Sequence, residues 1–240
     1  MKKRIYPPAL AMIYAVILSL VLITAIAGSE VVTTIAENAP LSGRTCFIID
    51  AGHGGVDGGA TSCTGTLESA INLEIALRLD DLMHLLGMET LMIRKTDISV
   101  YTEGNSIAAK KVSDLKERAR IVNQTENAVL ISIHQNHFSD SRYSGPQVFY
   151  SNIADSEHLG KQMQSALVKY LNPQSNRQAK KADGVYLMQN IHCSGILIEC
   201  GFLSNPSEEA KLRSPLYQKK LCCVIASVAS NYENNSAISS

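Results

Sequence analysis

The sequence predicts a single layered α/β domain with a mostly parallel central sheet and helices on both faces, preceded by an N-terminal apolar helix. Two patterns predict this fold. Short runs that are apolar throughout are typical of strands buried on both faces, and they alternate with longer segments whose apolar residues recur at helical spacing. The 240 residues suit one domain with a sizeable core once a non-globular N-terminus is set aside.

The N-terminus predicts export. A cationic start, Met1 to Arg4, precedes the uncharged apolar run Ala9–Ala27, which is close to the roughly 20 residues that span a bilayer as a helix. The positive-inside rule then places everything after Ser29 outside the cytoplasm. Ala25 to Ala27 resembles a cleavage site, so residues 1–29 are either a signal peptide or a signal anchor, which makes the protein exported or membrane-anchored.

The remaining chain divides by composition into a linker over 30–43, a domain over 44–232 and a frayed polar tail over 233–240. The candidate strands are Thr45–Ile49, Thr90–Ile93, Ala128–Ile133, Gln147–Tyr150 and Ile196–Glu199. The candidate helices are Glu68–Leu86, Ser113–Thr125, Asp155–Leu171 and Pro215–Asn231. In the first of these helices, Ile71, Ile75 and Leu79 lie on one face, and Gly87 is a C-terminal stop.

Charge and cysteine content exclude some functions. Lys and Arg total 22, as do Asp and Glu, so no basic excess exists to neutralise a nucleic-acid backbone. The six cysteines have no CxxC spacing, which argues against a cysteine zinc site, and we interpret most of them as small buried hydrophobic residues.

Three polar clusters directly follow or end predicted strands: Asp50 to Gly55, Ser132 to His137, and Glu199 to Phe202. Ligands of open α/β sheets bind at the carboxyl ends of the strands, so these clusters should converge on one crevice. We expect Gly54 and Gly55 to leave room there for a metal and a substrate. A phosphate loop is the weaker interpretation, because neither GxxxxGK[ST] nor GxGxxG is present.

His53 and His134 with one carboxylate would make a catalytic zinc site, since such a set leaves a coordination position for water. Glu68, at the start of the helix after the His53 loop, is the predicted carboxylate. The alternative is an exposed acidic residue that is stabilised there by the helix dipole. Glu74 is the rival, but its offset places it on another face of that helix.

Glu199 ends an apolar strand, where an unpaired carboxylate would be costly to bury. Partial burial would raise its pKa toward the range useful for a general base, and the alternative is a structural ion pair with Arg or Lys. His137 lies three residues after His134, on the opposite face if the strand continues, so we expect it at the rim of the cleft.

In combination these motifs resemble the zinc N-acetylmuramoyl-L-alanine amidases of the amidase-3 type. The resemblance runs from about Thr45 to Asn231. Its motifs are Ile49 to Gly55, Glu68 with Asn72 and Leu73, Arg94 to Asp97, Leu115 with Arg118 and Asn123, Ser132 to His134, and Glu199 with Gly201 to Pro206. It implies that His53, Glu68 and His134 bind zinc, that Glu199 is catalytic, and that the substrate is peptidoglycan.

The exported single domain and the stretch Asn176 to Lys180 are most similar to the CwlD-type amidases of spore-forming bacteria. This resemblance implies action on the spore cortex, in the spore intermembrane space or the cortex itself, before muramic-lactam formation, and a spore lipoprotein as partner. Cys200 and His137 depart from the residues common in the family. The alternatives are another zinc hydrolase of the wall, a carboxypeptidase or a deacetylase, or a non-catalytic wall-binding protein.

Overall fold

The computed structural model describes residues 44–153 and 155–239, which lie in one compact unit. The predictions for segment 1–29 and linker 30–43 fall outside these residues. Within the described part of the chain, no helix is both long and apolar enough to cross a membrane.

A six-stranded sheet in the order β2-β1-β3-β6-β4-β5 forms the centre of the domain. Its strands are β1 Cys46–Ala51, β2 Glu89–Met92, β3 Ala128–Asn136, β4 Gln147–Tyr150, β5 Lys180–Lys181 and β6 Ser194–Phe202. The helices are α1 Glu68–Leu85, α2 Ile107–Gln124, α3 Ser156–Leu171, α4 Tyr186–Asn190, α5 Pro206–Leu212 and α6 Pro215–Ser239. The β4–β6 pair is antiparallel and the other pairs are parallel, so the mostly parallel sheet is confirmed.

Two apolar cores lie on opposite faces of the sheet. Phe47 and Ile49 of β1 face the core formed with α1, α3 and α6, whereas Ile48 between them faces the core formed with α2 and α4. This alternation within a fully buried strand explains why β1 is apolar throughout. Helices on both faces of the sheet are therefore confirmed.

Each of the five predicted strands and four predicted helices has a counterpart, and the differences lie at their ends. β3 and β6 extend past the predicted Ile133 and Glu199, because they pair with each other through a register shift between His134 and Asn136. Helix α2 begins at Ile107 rather than Ser113, where the Ser106 side chain accepts a hydrogen bond from the Ala109 amide.

Helix α6 runs on to Ser239, past the predicted end at Asn231 and into the stretch predicted to fray. The Tyr232 hydroxyl lies 3.2 Å from Ser194 Oγ, a tertiary contact that the apolar spacing does not encode. The sequence prediction also missed β5, α4 and α5, which are too short for a periodic pattern.

The six cysteines are free. Cys46, Cys200 and Cys222 are buried, as predicted for small hydrophobic residues, whereas Cys63 and Cys223 are exposed. Cys200 belongs to the core shared with α1, α3 and α6, so this departure from the family pattern lies in the packed interior.

Candidate metal centre

The structure brings together the three residues predicted to bind metal. One ligand atom from each of His53, Glu68 and His134 lies within 4.8 Å of the others. Their positions follow from the sheet order: β1 and β3 are parallel neighbours, so the loop after β1 and the end of β3 meet at one edge. The first residue of α1, Glu68, faces the same point, because its amide donates to Ala60 in that loop.

Glu68 is the buried centre of the cluster. Its Oε1 lies 3.1 Å from His134 Nδ1 and accepts from the Gln135 amide at 3.1 Å. Its Oε2 lies 3.3 Å from His53 Nε2 and accepts from the Ala60 amide at 2.9 Å. The carboxylate is therefore held by the loop that carries His53 and by strand β3, which carries His134, rather than exposed at a helix terminus.

The electrostatics of the cluster favour a bound cation. Burial alone would raise the pKa of Glu68, but the imidazoles of His134 and His53 hold it well below its usual range, so it stays ionised. Burial disfavours the charged form of His53, yet Glu68 and Asp57 outweigh it and raise the pKa of His53 to about 9. A proton thus occupies His53 at neutral pH in the metal-free protein, and a metal would displace it.

Glu199 lies beside this cluster on the neighbouring strand, in register with His134. Its Oε2 is buried and has no hydrogen-bond partner among the described residues. Burial raises the pKa of Glu199 to about 7, an effect that the neighbouring His134 opposes and Glu68 reinforces. The structural ion pair with Arg or Lys, the alternative weighed from the sequence, is not formed within the described part of the chain.

The buried Oε2 of Glu199 has no hydrogen-bond partner among the described residues and lies next to two imidazoles and an ionised glutamate. A metal ion with a bound water at this place would give that oxygen a hydrogen-bond partner. Two histidine nitrogens and one carboxylate match the donors that zinc takes in catalytic sites. The residues present therefore fit zinc.

Asp57 supports the cluster from behind and was not singled out from the sequence. Its Oδ2 lies 3.0 Å from His53 Nδ1, so the imidazole turns its other nitrogen toward Glu68. The Asp57 carboxylate also accepts from Lys111 Nζ at 2.7 Å and from the Gly59 amide at 3.2 Å. Its spacing of four residues from His53, within a glycine-rich loop, was the available signal.

Two buried arginines hold the backbone of the His53 loop. Arg94 Nε donates to Ala51 O at 2.8 Å and its Nη2 to Gly52 O at 3.1 Å. Arg118 donates to His53 O at 2.7 Å and forms a buried ion pair with Asp50. The resemblance includes both arginines, but their role depends on tertiary contacts that spacing does not reveal.

Gly52 allows His134 to approach the loop. A Cβ at Gly52 would lie 2.2 Å from the His134 ring, so any other residue would displace the imidazole. The expectation that Gly54 and Gly55 leave room for metal and substrate is wrong. The space that a Cβ would take at these glycines is filled by the backbone of Ile98 and Ser99.

The rejected candidates lie elsewhere. Glu74 accepts a hydrogen bond from Gln218 of α6 at 3.0 Å, which agrees with its predicted place on another face of α1. His137 follows the end of β3, is exposed and is not part of the metal cluster.

A cavity of about 290 Å³ opens beside the cluster and offers space for part of a substrate. The residues that line it include His53, His134 and Lys111, together with Leu115 of α2 and Leu187 of α4.

Comparisons with known proteins identify the family. Residues 47–230 match the family described as N-acetylmuramoyl-L-alanine amidase, of the amidase-3 type. The chain is 40% identical over 188 residues to the germination-specific N-acetylmuramoyl-L-alanine amidase of Bacillus subtilis, covering 78% of each protein.

Solved structures give the same result. The CwlD amidase from Clostridioides difficile, in complex with the GerS lipoprotein, is similar with a TM-score of 0.75 and 36% identity over 78% of this chain and 98% of that one. An N-acetylmuramoyl-L-alanine amidase from Clostridium difficile 630 has a TM-score of 0.69 and 30% identity, over 80% and 97% of the two chains. The chain belongs to the N-acetylmuramoyl-L-alanine amidase family.

Proposed function

We propose that this N-acetylmuramoyl-L-alanine amidase works with one zinc ion held by His53, Glu68 and His134, and that Glu199 is its general base. The bond cut joins the lactyl group of N-acetylmuramic acid to L-alanine in peptidoglycan. The observation that carries the proposal is the Oε2 of Glu199, which is buried without a hydrogen-bond partner among residues 44–153 and 155–239, beside the three converging ligand atoms.

His53, Glu68 and His134 would hold the zinc, which when bound would supply Lewis acidity for the substrate carbonyl and for the acidity of a water molecule. Glu199 takes a proton from the attacking water and returns it to the leaving amine of L-alanine. Its raised pKa suits both transfers, because a base works best when its pKa lies near the working pH. Asp57 and Arg118 keep His53 in place while the substrate binds.

We further propose a role in spore cortex maturation, outside the cytoplasm, before muramic-lactam formation. The Bacillus subtilis relative is named a germination-specific amidase, and the similar Clostridioides difficile enzyme forms a complex with a lipoprotein. In this proposal residues 1–29 direct export or anchor the protein, 30–43 are the linker, 44–232 form the catalytic domain, and a spore lipoprotein is the partner.

Digestion of peptidoglycan by the zinc-loaded protein tests the proposed chemistry. We expect free stem peptides with a new L-alanine amino terminus, and loss of roughly 100-fold or more of that activity in Glu199→Gln. The variant should still bind zinc, because Glu199 is not among the clustered ligands. Release of a terminal D-amino acid or of acetate instead would identify a carboxypeptidase or a deacetylase, and unchanged activity in Glu199→Gln would refute its role as base.

A further inference from the structure

Three aromatic side chains in contact with one another form a row that ends in an arginine. Phe138 and Tyr143 stack edge to face with ring centroids 4.9 Å apart, and Tyr143 lies 6.0 Å from Phe202. The Arg177 guanidinium lies 5.2 Å from the centre of the Phe202 ring. We call these four residues the aromatic row.

The aromatic row includes a residue of β6, the strand that carries Glu199. Phe202 is the last residue of β6, and Arg177 donates to Gln147 Oε1 at 3.3 Å. Gln147, in turn, is paired in register with Glu199 across the antiparallel β4–β6 ladder. The loop between β3 and β4 carries Phe138 and Tyr143, so the row lies at the sheet edge where the ligand atoms converge.

The loop is held in one conformation by the turn that follows β6. The Phe138 amide donates to Ser204 Oγ at 3.1 Å, and Asn205 Nδ2 donates to Tyr143 O at 3.2 Å. The Gly145 amide donates to the buried Glu208 carboxylate at 2.6 Å. A loop that is already ordered loses less conformational entropy when a ligand binds to it.

The outer part of the row is open to solvent. Phe138 is 48% exposed and Tyr143 is 47% exposed, although Phe202 beneath them is buried. Isolated exposed apolar residues are common on protein surfaces, whereas two that contact each other, in the loop that follows the strand carrying His134, suit a binding surface. Arg177 has no carboxylate within ion-pair distance among residues 44–153 and 155–239.

We propose that the aromatic row binds the stem peptide of the substrate and that Arg177 pairs with a peptide carboxylate. This inference rests on the proposed amidase function. The two parts of the substrate differ in charge: N-acetylated sugars whose lactyl group is amide-linked are neutral, whereas the peptide ends in a carboxylate. A guanidinium without an acidic partner is suited to the charged part, and the rings of Phe138 and Tyr143 supply apolar contact to the peptide.

Binding to the full chain, measured calorimetrically without any need for turnover, tests the proposal. The ligands are a free stem peptide with an L-alanine amino terminus, the same peptide amidated at its free carboxyl groups, and a peptide-free glycan. We expect the acidic peptide to bind about tenfold more weakly to Arg177→Gln, which is the loss of one charge-assisted hydrogen bond. The amidated peptide should bind wild type and Arg177→Gln equally.

Two further variants separate contact from folding. Tyr143→Ala should weaken peptide binding while keeping the backbone bond to Asn205, and Lys180→Gln, an exposed cation on β5, is the matched control that should change nothing. Equal peptide affinity in wild type, Arg177→Gln and Tyr143→Ala would overturn the proposal, as would loss of glycan binding instead. Failure of the amidase assay with these peptide affinities intact would refute the proposed function and leave the peptide site standing.

Discussion

At the scale of single residues, two glutamates of the same site have pKa values shifted in opposite directions. Burial alone would raise the pKa of Glu68, but the imidazoles of His134 and His53 keep it well below its usual range, which suits a metal ligand. Glu199 has one oxygen buried without a partner in the described part of the chain, and burial raises its pKa to about 7, which suits a base. The surroundings of each carboxylate therefore assign the two roles.

Asp57 gives a prediction at this scale. Replacing it by Ala removes the acceptor for His53 Nδ1, so the imidazole loses its fixed orientation toward Glu68. We expect zinc affinity to fall roughly 10- to 100-fold, as for other outer-shell carboxylates of metal sites. Competition with a chelator measures it.

The control for this experiment is Asp140→Ala, which breaks an exposed pair with Arg142 and should leave zinc affinity unchanged. Equal affinities in wild type and Asp57→Ala would show that the imidazole needs no support from this carboxylate.

Part of the site could be predicted from sequence at the level of residues. His53, His134 and Glu199 follow or end apolar strands, and parallel strand ends must meet at one edge, so their convergence was foreseeable. The support from Arg94 and Arg118 was not, because each binds carbonyl oxygens that are distant in sequence. The prediction that Gly54 and Gly55 leave room for metal and substrate failed for the same reason, a contact between residues distant in sequence. The loop after β2 fills the space beside them.

At the scale of elements, the short helix α5 fastens the loop between His53 and Glu68. Glu209 is buried and accepts from Ser62 Oγ at 3.2 Å and from Thr64 Oγ1 at 2.5 Å. The Cys63 amide adds a bond to Leu203 O at 3.2 Å, just before α5. The distance between His53 and Glu68, which this loop joins, thus depends on contacts with the helix that follows β6.

We expect Glu209→Ala to weaken zinc binding, because the loop that joins His53 to Glu68 is released from α5. Glu209→Gln keeps an oxygen that can accept from both hydroxyls, so it should retain most of the affinity. Zinc titration of both variants, with thermal melting to check folding, measures this. Equal loss in Ala and Gln variants would mean that the negative charge, and not the anchoring, matters.

The pair between Asp50 and Arg118 connects β1 to α2, and the Ser132 hydroxyl of β3 donates to Asp50 at 2.6 Å. Burial alone would raise the pKa of Asp50, but Arg118 and Ser132 lower it below the usual value. Asp50→Asn removes one of the two carboxylates that pair with the buried Arg118 and leaves Asp114 as the other. We therefore expect a loss of about 3 kcal/mol in the free energy of unfolding at pH 7, the lower end for breaking a buried ion pair.

The pH dependence follows from the lowered pKa. A group whose pKa is lower in the folded state stabilises the fold above its unfolded value, about 3.9 for Asp, and this contribution disappears as pH falls through the folded value. Denaturant unfolding should therefore show the wild type and Asp50→Asn converging below about pH 4. Glu157→Gln, which breaks an exposed pair with Lys161, is the control and should change stability little. A constant difference between wild type and Asp50→Asn down to pH 2 would contradict this assignment.

The elements that sequence could predict are those long enough for a repeating pattern. The spacing of Ile71, Ile75 and Leu79 predicted α1 closely, and the apolar run predicted β1. Helix α5 contains few apolar residues, so its sequence has no helical repeat of apolar residues. Its only sequence signal is the Asn205 cap followed by Pro206 at the first helical position.

At the scale of the whole molecule, the sheet order explains why one edge carries the chemistry. Strands β1, β3 and β6 are adjacent and parallel, so the loop with His53 and the strands with His134 and Glu199 end side by side. The two apolar cores above and below hold these strands rigidly. Such a frame keeps the ligand atoms close in the metal-free chain, which lowers the ordering cost of binding the metal.

Zinc content per chain is the most direct test of the metal centre. We expect one zinc atom per wild-type chain by elemental analysis after dialysis, and none in His53→Ala, Glu68→Ala or His134→Ala. The matched control, His137→Ala, changes an exposed histidine outside the cluster and should keep its zinc. Retention of zinc in the three ligand variants, or its loss in His137→Ala, would contradict the assignment of the site.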